Sequence, residues 1–370
     1  MTKSAGNSKT TGERLLSLDF FRGFTMFLLI AEFTHIFSYL TDPSLEGTII
    51  HFIGTQFHHH SWNGLRPWDL VQPFFMFIVG VAMPLSLANR TKRGDSHSRI
   101  LRHVIIRAFL LLLFGWALYC IGPGKIVFRF QNVLAQLSVT YLIAFLIMRK
   151  PVKTQIIISF VLLAVTELIY RGFPVEGFNQ PFVPDHNFGT WFDMLYGGED
   201  IHGHWVSFNA IPTTAHTIWG VLAGKLLMSD RTAKQKLKIL VIAGIIGLII
   251  GYGLNPITPI IKRISTSSFV IVTGGWTLLA LAFSYWIVDM KKRKKIALFF
   301  AIVGMNPLFI YLFAHVGGAD FIEQIIHPFT KVLFGWTGEV FLNVITGMIV
   351  LFLLWYICYW LYKKRIFIKI

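Results

Sequence analysis

The sequence predicts an all-α protein, a polytopic integral membrane bundle of about ten transmembrane helices with both termini cytoplasmic. Three observations predict it. Hydrophobic residues fill 54% of the 370 positions and charged residues only 14%. A soluble domain carries about 25% charged residues, so this chain lacks the polar surface to coat a globule in water. Ten apolar runs approach the roughly 20 residues that cross a bilayer, and the basic residues gather between alternate runs, as the positive-inside bias requires. An ordinary soluble enzyme and a disordered chain are thereby excluded.

Lys+Arg 34 against Asp+Glu 18 leaves a formal charge of +16. In a soluble protein this excess would point to nucleic acid. Here it follows the membrane topology, so the partner is the lipid bilayer and no nucleic acid is expected. Cys120 and Cys358 lie far apart in apolar runs and give neither a disulfide framework nor a metal spacing; no metal is expected.

The runs follow in order. Residues 1–15 are polar, hold Lys3, Lys9 and Arg14, and lack the apolar core and cleavage site of a secretory signal. They read as a cytoplasmic tail before a retained first span at 18–40. The others lie at 69–89, 101–121, 131–148, 154–171, 209–228, 237–254, 268–289, 296–316 and 340–362. A stretch at 49–57 is too short to span, and 320–336 is broken by Pro328 and Gly335; both read as interfacial or re-entrant pieces. The whole of 1–370 is one integral domain, with a long extracytoplasmic loop at 172–208. The cytoplasmic side takes 27 of the 34 Lys+Arg; the other keeps Arg66, Lys125, Arg129, Arg171, Lys262, Arg263 and Lys331. Histidine is distributed oppositely: eleven of thirteen fall in or near the outer half. Histidine suits membrane interfaces, and it is also the side chain that exchanges protons near neutral pH.

Four segments carry chemistry. Asp19 and Arg22, spaced i, i+3, can pair on one helix face; they anchor the first helix or meet an anionic ligand from the cytoplasm. Glu32 and His35 repeat that spacing at the outer end, where ionisable groups face a cavity, a partner or solvent. The second segment, 58–70, holds His58-His59-His60, the Asn63-Gly64 turn signal and Asp69 at a helix start. Asp69 reads either as a helix cap or as the acceptor for a histidine ring N–H, which would leave the other ring nitrogen free as a base. Adjacent histidines do not converge readily on one ion, so zinc is discounted. The third is the 172–208 loop, with Asp185-His186, Asp193, Glu199-Asp200 and His202-Gly203-His204-Trp205. Aromatics among acids suit a sugar, and equally a loop on lipid headgroups. The fourth is the set of amides and glycines within spans: Gln131, Asn132 and Gln136, Gly274-Gly275 breaking the eighth span, and Gly304-Met305-Asn306-Pro307 interrupting the ninth. These serve tight packing or line a cavity.

Together these residues resemble a known family. Arg14-Leu15-x-Ser17-Leu18-Asp19-x-x-Arg22-Gly23, followed by His59-x-Ser61-Trp62-Asn63-Gly64-Leu65-x-x-x-Asp69-Leu70-Val71-x-Pro73-Phe74-Phe75-x-Phe77-x-x-Gly80, is similar to heparan-α-glucosaminide N-acetyltransferase and its bacterial relatives. Ile211-Pro212, Gly220-x-Leu222-Ala223-Gly224, Ser267-Ser268-Phe269-Val270 and Gly304-x-Asn306 support the likeness over nearly the whole chain. Where the family carries Gln-Arg in the fourth span, this chain has Ala135-Gln136. Ser265 replaces a tryptophan, and Phe33 stands near an asparagine of the animal enzyme's first span.

The resemblance implies an acyltransferase that moves an acetyl group from cytoplasmic acetyl-CoA to an amino sugar or glycan beyond the membrane. In a bacterial relative that is the inner membrane. His59 matches the family's active histidine and is read as a general base or an acyl carrier, with His58 and His60 as adjacent alternatives. Asp69 orients it. Trp62, Asn63, His60 and Asn306 are assigned to the acceptor, and Arg22, Asp19 and Gln136 to the acetyl-CoA donor. A homodimer is left open. The alternative is a transporter of an amino sugar or small glycan, which discontinuous helices would serve equally.

Overall fold

A computed structural model describes residues 15–197 and 205–368, and its regular structure there is helical. Fifteen α-helices follow in chain order: α1 Leu16–Glu32, α2 Ile36–Tyr39, α3 Ile49–Thr55, α4 Val71–Lys92, α5 His97–Ile121, α6 Val133–Ile147, α7 Val152–Gly172, α8 Phe188–Gly197, α9 Ala210–Met228, α10 Ala233–Gly253, α11 Ser267–Tyr285, α12 Lys294–Val303, α13 Pro307–Phe313, α14 Ala319–Phe334 and α15 Glu339–Lys363. Seven segments among the described residues are long and apolar enough to cross a membrane: Pro67–Lys92, His97–Ile121, Val152–Gly172, Ala233–Gly253, Ser267–Met290, Pro307–Thr337 and Glu339–Lys363.

All ten expected runs lie on helix. Four fall on helices that are shorter or more polar than a full span: 18–40, 131–148, 209–228 and 296–316. The first stops at Glu32, because His35 adopts a left-handed backbone (φ 56) and turns the chain into the short α2. Where a broken piece was expected at 320–336, α14 instead runs through Pro328. The proline removes one helical N–H, yet the Thr330 hydroxyl donates to His327 O at 3.0 Å and meets Thr346 of α15 at 2.8 Å. That tie holds the helix in place. The expected break at Gly274-Gly275 is likewise absent, since α11 is continuous there.

Those glycines serve close approach. A Cβ on Gly220 of α9 would lie 2.2 Å from Phe77 O of α4, and one on Gly80 of α4 would lie 2.1 Å from Thr217 O of α9. Gly244, Gly247 and Gly251 bring α10 onto α11 around Gly275 and Val272, and Gly23 of α1 rests on Phe300 of α12. In a bilayer apolar burial does not drive helices together, so this backbone contact supplies the dispersion that does. Buried threonines close their hydroxyls on their own helices: Thr213 on Asn209 O, Thr214 on Ala210 O, Thr273 on Phe269 O and Thr277 on Thr273 O. Each of these four hydroxyls is therefore satisfied inside the bundle. The inner helices α1, α9 and α11 all pack against α4.

Gly220→Val forces a side chain into Phe77 O and is expected to remove about 1–3 kcal/mol of stability. Gly122→Ala, with no atom within 4 Å of its Cβ, is expected to be neutral. Thermal unfolding in detergent, followed by tryptophan fluorescence, checks both. An unchanged melting temperature for Gly220→Val would contradict the packing.

Candidate active site

Asp69 is fully buried in the Pro67–Leu70 turn that opens α4. A carboxylate offers two oxygens with about four lone-pair sites, and this one uses both. Oδ2 accepts the backbone N–H groups of Arg66 at 2.9 Å and His60 at 3.3 Å. Oδ1 lies 2.9 Å from His59 Nδ1 and 3.4 Å from Lys262 Nζ. The two readings of Asp69, cap and histidine partner, coexist because each takes a different oxygen.

The three histidines of the run point in three directions. His58 Nε2 reaches Phe37 O and Thr41 Oγ1, both at 3.2 Å, and fastens the loop to α2. The His60 ring lies beneath Gly64, where a Cβ would meet its Nε2 at 2.4 Å. Gly64 also has φ +149, in a region that side chains disfavour. Of the three rings only that of His59 reaches Asp69, and 28% of its side chain stays exposed. The Arg66 guanidinium donates to His59 O at 3.1 Å and fixes its backbone. Trp205 meets the His59 ring edge-on with centroids 5.1 Å apart, and Trp68 lies 6.5 Å away on a tilt. The Trp68 side chain also lies beside Glu32 at the end of α1.

Lys262 is the member of this cluster that the sequence motifs did not reveal. It sits 203 residues from His59, in the loop between α10 and α11, with Nζ 2.9 Å from His59 Nδ1. Its signal in the sequence was its sign and place: Lys262-Arg263 are two cations on a side that otherwise keeps few. Both hang over the Trp205 ring, Lys262 Nζ at 5.9 Å and Arg263 Cζ at 5.8 Å. Burial pushes the Lys262 ammonium down to about 8, against the pull of Asp69. Burial also holds the His59 imidazole below its ordinary range; the Asp69 hydrogen bond works against this and the charge of Lys262 adds to it. The ring is therefore neutral near neutral pH, as a base must be.

The other expected residues divide by position. The Trp62 indole donates to Phe182 O at 2.7 Å, so it braces the segment between α7 and α8. Asn63 is exposed and pairs with Ile261 through the backbone. Gln136 accepts from Gln72, one turn beyond Asp69, and donates to Gln131 O at 3.2 Å. Gln131 passes the network to Asp193 at 3.1 Å, which also holds Tyr196 and Ser207. Gln136 thus lies at the His59 end. Asp19 and Arg22, 3.5 Å apart, sit thirteen and ten residues before Glu32, about 20 and 15 Å along α1.

Asn306 departs from its expected place in the acceptor pocket. The interruption before Pro307 leaves it fully buried, where a primary amide must find partners. It finds the chain's end: Nδ2 donates to Ile366 O at 3.0 Å, and Oδ1 accepts from Ile368 N at 2.8 Å. The expected Glu199, Asp200, His202 and His204 lie outside the described residues. Among the described residues, His35, Asp320 and Glu323 bring three metal-ligating atoms within 4.8 Å of one another, with His35 and Asp320 exposed.

The catalytic profile of heparan-alpha-glucosaminide N-acetyltransferase matches residues 14–256. The Homo sapiens heparan-alpha-glucosaminide N-acetyltransferase is 27% identical over 427 aligned positions, covering 96% of this chain and 60% of the human protein. The Mus musculus protein of the same name is 32% identical over 145 residues, which cover 36% of this chain and 19% of the mouse protein. The chain thus spans about 60% of the length of the human relative.

Removing one member of a buried ion pair strands the other. Asp69→Ala is expected to cost about 3–5 kcal/mol, and adding Lys262→Met to it is expected to return part of that loss. Unfolding curves of the two single variants, the double variant and the wild type measure this coupling. A double variant no more stable than Asp69→Ala would contradict it.

Proposed function

The chain belongs to the heparan-alpha-glucosaminide N-acetyltransferase catalytic family, and on that premise we propose that it is a transmembrane acetyltransferase. It takes the acetyl group of acetyl-CoA on the cytoplasmic side and delivers it to the amine of an amino sugar or glycan on the outer side. Ten spans with both termini cytoplasmic, in a bacterial inner membrane, fit the distribution of its basic residues. The observation that carries the reading is a half-buried imidazole held by a buried carboxylate at 2.9 Å and flanked by Trp205 and Trp68. An aromatic wall suits the C–H face of a sugar.

In this mechanism Asp69 takes the Nδ1 proton of His59 as a hydrogen bond, which leaves the Nε2 lone pair toward the acceptor. His59 withdraws a proton from the acceptor nitrogen while that nitrogen attacks the thioester carbonyl. The C–N bond forms, the C–S bond breaks, and the imidazolium returns its proton to the departing thiolate. Asp69 stabilises the imidazolium between the two steps. The Asp19–Arg22 end of α1 and the basic cytoplasmic loops attract the anionic nucleotide of the donor.

The test uses purified protein in sealed vesicles, with labelled acetyl-CoA outside and glucosamine inside. Wild type is expected to accumulate N-acetylglucosamine in the lumen. His59→Ala, with an unchanged melting temperature, is expected to lose about 10²–10⁴-fold in rate. Full transfer by His59→Ala would overturn the assignment of the base. Unmodified glucosamine crossing without acetylation would overturn the enzyme in favour of a transporter.

A further inference from the structure

Lys262 is held too firmly at His59 to be a bystander. The loop between α10 and α11 is stitched on both flanks. Gly64 N donates to Ile260 O at 2.8 Å on one side. On the other, Asn209 Nδ2 and Val206 N donate to Arg263 O at 2.8 and 3.2 Å. Thr266 Oγ1 accepts from Ile261 N at 3.0 Å, and Ser265 takes a left-handed backbone at φ 46. Lys262 is left 6% exposed, aimed at the dyad.

The geometry sets a conflict. His59 Nδ1 lies 2.9 Å from Asp69 Oδ1 and also 2.9 Å from Lys262 Nζ. That nitrogen holds at most one proton, so it donates to Asp69 or accepts from Lys262, but not both. An ammonium has only donors, so a charged Lys262 competes with Asp69 for the ring.

We infer that Lys262 is a positioning residue that selects the tautomer of His59. As an ammonium it donates to Nδ1, which leaves the ring proton on Nε2 and silences the base. As a free amine it releases Nδ1–H to Asp69 and bares the Nε2 lone pair. The inference deepens the proposed function, whose base is this ring.

The charged groups facing Lys262 are Asp69 from α4, Glu32 from the end of α1 and its neighbour Arg263; His59 is the titratable ring beside it. The two carboxylates favour the ammonium, while Arg263 and, most of all, burial disfavour it, which brings it to about 8. The sign follows. Below that pH Lys262 is charged and His59 is silent although neutral; above it, His59 is basic at Nε2. Its reactivity therefore rises with the titration of Lys262 rather than with its own.

Diethyl pyrocarbonate reads this directly, because it acylates an imidazole nitrogen that carries a lone pair. Purified wild type, Lys262→Met and Lys262→Arg are treated across about pH 6.5 to 9.5. The modified His59 peptide is quantified by mass spectrometry, with His59→Ala as the blank. In wild type the rate is expected to fall about tenfold for each pH unit below the Lys262 titration. Lys262→Met is expected to be fast and flat from neutral pH upward. Lys262→Arg, which keeps its proton throughout, is expected to stay at least about tenfold slower than wild type at the alkaline end. Coincident profiles for wild type and Lys262→Arg would overturn the inference, and that comparison stands even if Lys262→Met fails to fold. Acetyl transfer is followed in parallel. No transfer by wild type together with the expected modification profiles would sink the enzymatic reading and leave the tautomer control standing.

Discussion

A carboxylate withdrawn from water must be satisfied where it stands, and Asp69 is the group around which this protein organises the start of α4. Its isolated charge would be very costly in an apolar interior. The cost is met by two backbone N–H groups, Arg66 from its own turn and His60 from the loop before it, and by two side chains, His59 and Lys262. Each partner ties a different piece of chain to the start of α4. His59 and His60 bring the segment between α3 and α4, Arg66 closes the turn, and Lys262 brings the loop between α10 and α11. The resulting triad is rigid because none of its members can leave without stranding another.

The bundle below serves this arrangement. Glycine contacts hold α4 on α9 and α10 on α11 at backbone distance, so the helices that present Asp69 and Lys262 cannot slide far. The amide chain Gln72–Gln136–Gln131 extends from the site to Asp193, which anchors the segment carrying Trp205. The aromatic wall beside His59 is thereby coupled to the same framework. Chemistry and packing meet in one place: the cap that starts α4 is also the acid that orients the imidazole.

Much of this was legible in the residues, and the rest was hidden for physical reasons. The helical class and its lipid-facing runs follow from composition and length, because a bilayer imposes both. Helix limits were harder. His35 turns the chain inside an apolar run by its backbone conformation, and α14 continues through Pro328, with Thr330 just beyond it tied to Thr346 of α15. In the site, Asp69 could be read two ways because it does two things. His58, His59 and His60 could not be separated by spacing, since an irregular loop has no period to assign faces. Lys262 lies two hundred residues away, and only folding brings it to His59. Asn306 was drawn toward the acceptor by a motif, whereas its burial commits it to the backbone of Ile366 and Ile368.

The central claim is that the reacting acetyl group meets His59 on the face turned away from Asp69. A cryo-EM map of the protein with a non-hydrolysable thioether analogue of acetyl-CoA tests it most directly. The account predicts the acetyl carbonyl carbon on the Nε2 side of His59 at about 4–6 Å, the gap that admits one acceptor nitrogen between base and thioester, with Asp69 and Lys262 still on the opposite side of the ring. An acetyl group lodged elsewhere in the bundle, or an imidazole swung away from Asp69 in the complex, would contradict it.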